Sequence, residues 1–192
     1  MGAGLASFIQ LIFHLMTFIV MLRFLLHLSK ADYFNPITQG VVSATNPVVR
    51  PMQMLLRPVG RIDPASFLLA VVIKALGIFL VLQMHGQIAG LGSILVGGVA
   101  GAVKTALDIY FFALIISIIL SWVAPQASHP GALLVHQLIE PLLAPVRRFI
   151  PSLGGLDLSP IFVFLGLNLV TTVLVGILAQ MAGMPVAALI GF

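Results

Sequence analysis

Four long apolar runs in a chain with almost no charge leave it few ways to fold. The first extends from Leu5 to Leu28 and is broken only by the polar Ser7, Gln10, His14, Thr17, Arg23 and His27. As a helix rising about 1.5 Å per residue it crosses the roughly 30 Å of a bilayer's hydrocarbon. It lacks the basic start and small-residue cleavage site of a signal peptide, so it is expected to be a retained helix. The second, about 65–84, contains Lys74 and follows Asp63-Pro64, a capping residue before a proline suited to the first helical position. The third, about 99–123, contains Lys104 and Asp108, and the fourth, about 160–181, contains Asn168. With 60% apolar and 7% charged residues and a mean hydropathy of +1.20, this is an all-α membrane protein with four transmembrane helices.

Lysine and arginine number four in the first connection (30–63), none in the second (85–98) and two in the third (125–158). That bias is expected to place the first and third connections in the cytoplasm, and the N-terminus, glycine-rich central loop and C-terminus outside. Within the third lies EPLLAPVRRFIPSLGGLDLSP, 140–160. Pro145 has no N–H for the carbonyl of Pro141, so a helix here must kink. Leu138, Ile139, Leu142, Leu143, Val146, Phe149 and Ile150 nevertheless recur at helical spacing, with Glu140, Ala144, Arg147 and Arg148 opposite. The expectation is a short bent amphipathic segment, interfacial or re-entrant, then a turn at Gly154-Gly155 and a helix start at Ser159-Pro160. Asn46-Pro47 is the matching start in the first connection.

An ungapped shift of 94 lays Pro36 on Pro130, Pro47 on Pro141, Pro51 on Pro145, Gly60 on Gly154 and Asp63 on Asp157. The chain is therefore a tandem repeat, with units 1–92 and 93–192. Each unit supplies two spans, so the two-helix repeats run parallel and are related by an axis along the membrane normal.

No nucleophile-plus-base signature, Walker loop or zinc spacing is present, the five histidines form no i, i+4 pair, and there is no cysteine. A non-catalytic protein without metal or cofactor is expected. Nine basic residues, scattered as they are, make no phosphate-tracking surface, so no nucleic-acid contact is expected. Arg147 and Arg148 are topology anchors or a site for an anionic lipid headgroup or acidic partner. Gly97 and Gly101 form a GxxxG. At the same offset His14 falls on Asp108 and Lys74 on Asn168, polar in both copies. These four residues are expected to form one mid-membrane cluster with Lys74 and Asp108 as its charged pair, either holding helices together or marking an ion path.

ILSWVAP at 119–125 with the 140–160 segment, and MLRFLLHLSKADYFNPITQ at 21–39, resemble the YggT (also YlmG) family of small integral membrane proteins. The likeness covers nearly the whole chain. At 50–61, RPMQMLLRPVGR departs from the second repeat's pattern, so only that repeat keeps Pro141, Pro145, Arg147, Arg148, Gly154, Gly155 and Asp157 intact. The resemblance implies a scaffold or assembly factor for a membrane complex or cell division in a bacterial inner membrane, with a membrane-protein partner or further copies of itself. A second implied role is ion homeostasis, with potassium uptake under osmotic stress. A chloroplast branch is associated with cytochrome haem attachment, a role that no feature around His14 or His27 supports here.

Overall fold

The computed structural model describes residues 2–123, 129–150 and 157–185; Gly154 and Gly155 lie outside them. The elements in order are α1 (Gly2–Leu28), α2 (Pro36–Leu55), α3 (Pro64–Met84), α4 (Leu91–Val123), α5 (Pro130–Phe149), α6 (Ser159–Val170) and α7 (Gly176–Ala182). A single π-helical turn, Thr171–Val175, joins α6 to α7, so the fourth span is continuous from Ser159 to Ala182. Among the described residues four helices are long and apolar enough to cross a membrane: α1 from Gly4, α3, α4, and the α6–α7 unit.

Four helix starts share one chemical device. Asn35 Oδ1 accepts from the Ile37 N–H (2.9 Å) ahead of Pro36, and Asp63 Oδ1 accepts from the Ser66 N–H (3.4 Å) ahead of Pro64. His129 Nδ1 accepts from the Gly131 N–H (3.2 Å) ahead of Pro130, and Asp157 Oδ1 caps the Ser159 N–H (2.9 Å). Each satisfies an N–H the helix leaves unpaired. Asn46-Pro47 therefore does not start α2. Asn35-Pro36 carries the same signal eleven residues earlier, and the helix runs through Pro47 and Pro51. Likewise α5 is a full helix of 20 residues through Pro141 and Pro145, not a short segment. Pro47, Pro51 and Pro145 are exposed, on faces where water can reach the carbonyls that lose their N–H partners.

The core forms where α1, α3 and α4 pack, around Met21, Leu25, Ala70, Val71, Ala102, Ile109 and Leu114. Leu138, Ile139 and Leu143 of α5 close it at the end where α1 and α4 finish. A smaller cluster of Ile78, Ala100, Val175 and Ala179 joins the fourth span to α3 and α4. Apolar side chains such as Phe8, Leu15, Phe112, Leu165 and Leu169 point outward, as a bilayer requires. The central loop is shorter than its glycines suggest, because α4 already begins at Leu91. Two glycines of α4, Gly98 and Gly101, are contact residues. A Cβ on Gly98 would lie 2.8 Å from Ala75 Cβ and 2.9 Å from the Val71 carbonyl oxygen, and one on Gly101 2.6 Å from Lys74 Cε. Close helix approach offsets glycine's poor helix propensity of about 1 kcal/mol.

Candidate functional site

Helices α2 and α5 lie at the same end of the bundle and touch each other. Asn35 Nδ2 donates to the Pro130 carbonyl (2.7 Å), and Gln137 Oε1 accepts from the Asp32 N–H (3.0 Å). Each is tied to its own repeat by a guanidinium. In the first, Arg23 of α1 is 8% exposed, and its Nη1 donates to Thr45 Oγ1 (2.9 Å), Asn46 Oδ1 (2.9 Å) and the Val42 carbonyl (3.3 Å). Gln53 continues the chain, with Nε2 donating to Asp63 Oδ2 (2.8 Å), which also accepts from Ser66 Oγ (2.6 Å). Asp63 thus caps α3 and anchors α2 at once.

In the second repeat Arg147 stands at the register of Gln53, Glu140 at that of Asn46 and Asp157 at that of Asp63. Arg147 Nη1 donates to Glu140 Oε2 and Nε to Asp157 Oδ2, both at 2.9 Å. Burial disfavours the Arg147 charge, but bonding to Asp157 and the two carboxylates outweigh it and push its pKa up. Burial likewise raises the Asp157 pKa, and the hydrogen bonds from Ser159 and Arg147 more than reverse it, leaving the group below its ordinary value. Arg148 is exposed and makes no hydrogen bond or ion pair among the described residues. The sequence reading missed the Arg23–Gln53–Asp63 chain, although the 94-residue register pointed to Gln53 and Asp63.

The second constellation gathers near the middles of α1, α3 and α4. Lys74 is 4% exposed near the middle of α3, its stem against Gly101 of α4. The ion pair of Asp108 is with Lys104 one turn earlier on α4, not with Lys74, because an i, i+4 pair needs no reach between helices. His14, Lys74, Lys104 and Asp108 are close enough to act on one another electrostatically. Asn168 is not among them: its side chain is exposed, with Nδ2 donating to the Phe164 carbonyl (2.9 Å). From the other end of the bundle a cavity of about 690 Å³ reaches Lys74 past Gln10, Gln87 and Ser93. No group of three or more potential metal ligands occurs among the described residues.

The CCB3/YggT family model matches residues 2–84 and 96–178, two segments set 94 residues apart at both ends. The chain belongs to the CCB3/YggT family. It is 45% identical over 169 residues to an uncharacterized Pseudomonas aeruginosa protein, covering 87% of this chain and 86% of that one. It is 33% identical to the uncharacterized protein YggT of Escherichia coli, covering 84% of each. YlmG homolog protein 2, chloroplastic, of Arabidopsis thaliana is 42% identical over 92 residues, 46% of this chain and 36% of that protein. No solved structure matches the chain. Within the CCB3/YggT match both guanidinium clamps fall inside the paired segments, Arg23 in one and Arg147 in the other.

Proposed function

We propose that this CCB3/YggT protein is a non-catalytic membrane scaffold that holds a membrane-protein partner against the paired helices α2 and α5. One observation carries the reading. Both helices are tied on one side by guanidinium clamps, yet at their C-terminal ends they present large apolar side chains, Met54 and Leu55 at 77% and 86% exposed and Phe149 at 85%. A rigid, amphipathic platform with exposed anchors suits docking of a partner helix at the interface. The basic residues of the two connections favour a cytoplasmic position for that platform, and an impermeant maleimide should therefore label a His85→Cys variant, but not an Arg148→Cys variant, in intact cells. The scaffold reading is tested in two ways: vesicles containing only this chain should pass no potassium, chloride or protons, and mild crosslinking in native membranes should trap a discrete partner. Flux at a rate that depends on Lys74 would refute it.

The cavity leading to Lys74 favours a second reading, in ion homeostasis. Lys74 and Lys104 against Asp108 leave the constellation with a net positive charge. Such a centre repels potassium, so this reading involves an anion, or a proton handed between titratable groups, rather than passage of a metal cation through the cluster.

A further inference from the structure

A second cavity, of about 370 Å³, lies where α1 meets α2 and is walled by Arg23, His27, Lys30, Tyr33, Thr38 and Asp63 among others. Three features of its wall go beyond what the fold needs. Thr38 is only 4% exposed, and its hydroxyl has no hydrogen-bond partner among the described residues, an arrangement that costs stability unless a ligand supplies one. Arg23 donates through Nη1 and reaches Gln53 only at 3.5 Å through Nη2, so its Nε carries no bond among the described residues. Lys30 sits at φ +54°, the left-handed position just beyond a helix where glycine is at ease, so the chain bears strain to keep an ammonium there. Asp63, the one acid in the wall, is already occupied by Gln53 and Ser66.

The second repeat serves as an internal control. At the 94-residue offset Arg23, His27, Lys30, Tyr33 and Thr38 become Ser117, Ser121, Ala124, Ala127 and Ala132. The same two-helix unit is thus built with no cation at these positions and no hydroxyl at the register of Thr38, and topology alone does not account for them in the first repeat.

We propose that this cavity binds a phosphate group, that of an anionic phospholipid headgroup, between Arg23, Lys30 and Thr38. Fixed cationic donors suit phosphate oxygens, and a headgroup without a quaternary ammonium avoids repulsion from Lys30 and Arg23. The site does not depend on the scaffold reading, since it needs no protein partner.

The test titrates the purified full chain, in a non-ionic detergent, with short-chain phosphatidylglycerol, the matching phosphatidylcholine, and inorganic phosphate, reading the melting temperature. Phosphatidylglycerol should give a saturable rise, with phosphatidylcholine at least roughly tenfold weaker. Inorganic phosphate failing to reproduce the rise identifies the lipid as source; reproducing it keeps the phosphate site and assigns it to the soluble ion. Thr38→Val should lower affinity roughly tenfold, the equivalent of one charge-assisted hydrogen bond. Lys30→Gly should act in opposite directions, raising the melting temperature of the ligand-free protein while weakening phosphatidylglycerol roughly tenfold. Arg50→Gln, at an exposed position on α2 outside the cavity wall, should change neither. Equal binding of the two lipids, or unaltered phosphatidylglycerol binding by a folded Lys30→Gly/Thr38→Val variant, overturns the proposal.

Discussion

Replacing Arg23 with methionine should destabilise this protein far more than replacing Arg147, although the two arginines do corresponding work in the two repeats. Arg23 is 8% exposed, and its loss leaves Asn46 Oδ1 without its donor and removes the nearby positive charge from Asp63, which is 2% exposed. Asp63 keeps its bonds from Gln53 and Ser66, so the cost comes chiefly from the buried acceptors of α2 left without a donor, roughly 1–3 kcal/mol each. Arg147 is 43% exposed on its side chain, with partners Glu140 at 54% and Asp157 at 40%, and exposed pairs contribute about 0–1 kcal/mol each. Thermal or denaturant unfolding in one detergent reads the difference directly, with Arg23→Met losing several times what Arg147→Met loses. Adding Asp63→Asn to Arg23→Met should recover part of the loss, because the amide needs no counter-charge. Equal losses for the two arginine variants, or no recovery in the double variant, would refute the argument from burial.

Lys104→Leu and Asp108→Leu should each cost on the order of 3 kcal/mol in detergent melts and the double variant less than their sum, whereas Lys74→Met combined with Asp108→Leu should be nearer additive. Gly98→Ala should cost about 1–3 kcal/mol, since its Cβ meets the backbone of Val71, while Gly92→Ala, with nothing within 4 Å, should be neutral or better. The folded-state pKa of Asp157 lies below its ordinary value, so its contribution is present above about pH 4 and is lost as pH falls through the lower folded value. Acid titration of a double-cysteine label pair spanning α5 and α6 should therefore show loosening only below about pH 4, and loosening near neutrality would contradict it.

The spans, their number and the repeat were legible in the sequence because length in hydrocarbon and proline register are direct physical constraints. The start of α4 was not, since Gly98 carries the same local signal in a loop and in a tight helix contact, and only the position of α3 decides between them. The partner of Asp108 was misplaced for a related reason. Depth alone puts Lys74 and Asp108 together, but Lys104 is one turn away on the same helix and reaches first. Asn168 shared a register with Lys74 without sharing its direction, because the fourth span turns that face outward. Arg23 was hidden by being an ordinary residue type near a helix end; its four acceptors come from α2, distant in sequence.

The scaffold reading rests on α2 and α5 being working surfaces kept in place by their clamps. The most direct measurement puts a photo-crosslinking amino acid at Leu55 and at Phe149 in living cells and compares the native chain with Gln53→Ala and Arg147→Ala backgrounds. The account predicts one discrete protein adduct from both positions, weakened at Leu55 by the first substitution and at Phe149 by the second. Adducts with lipid alone, or a protein adduct indifferent to both clamps in variants that reach the membrane at native levels, would contradict it.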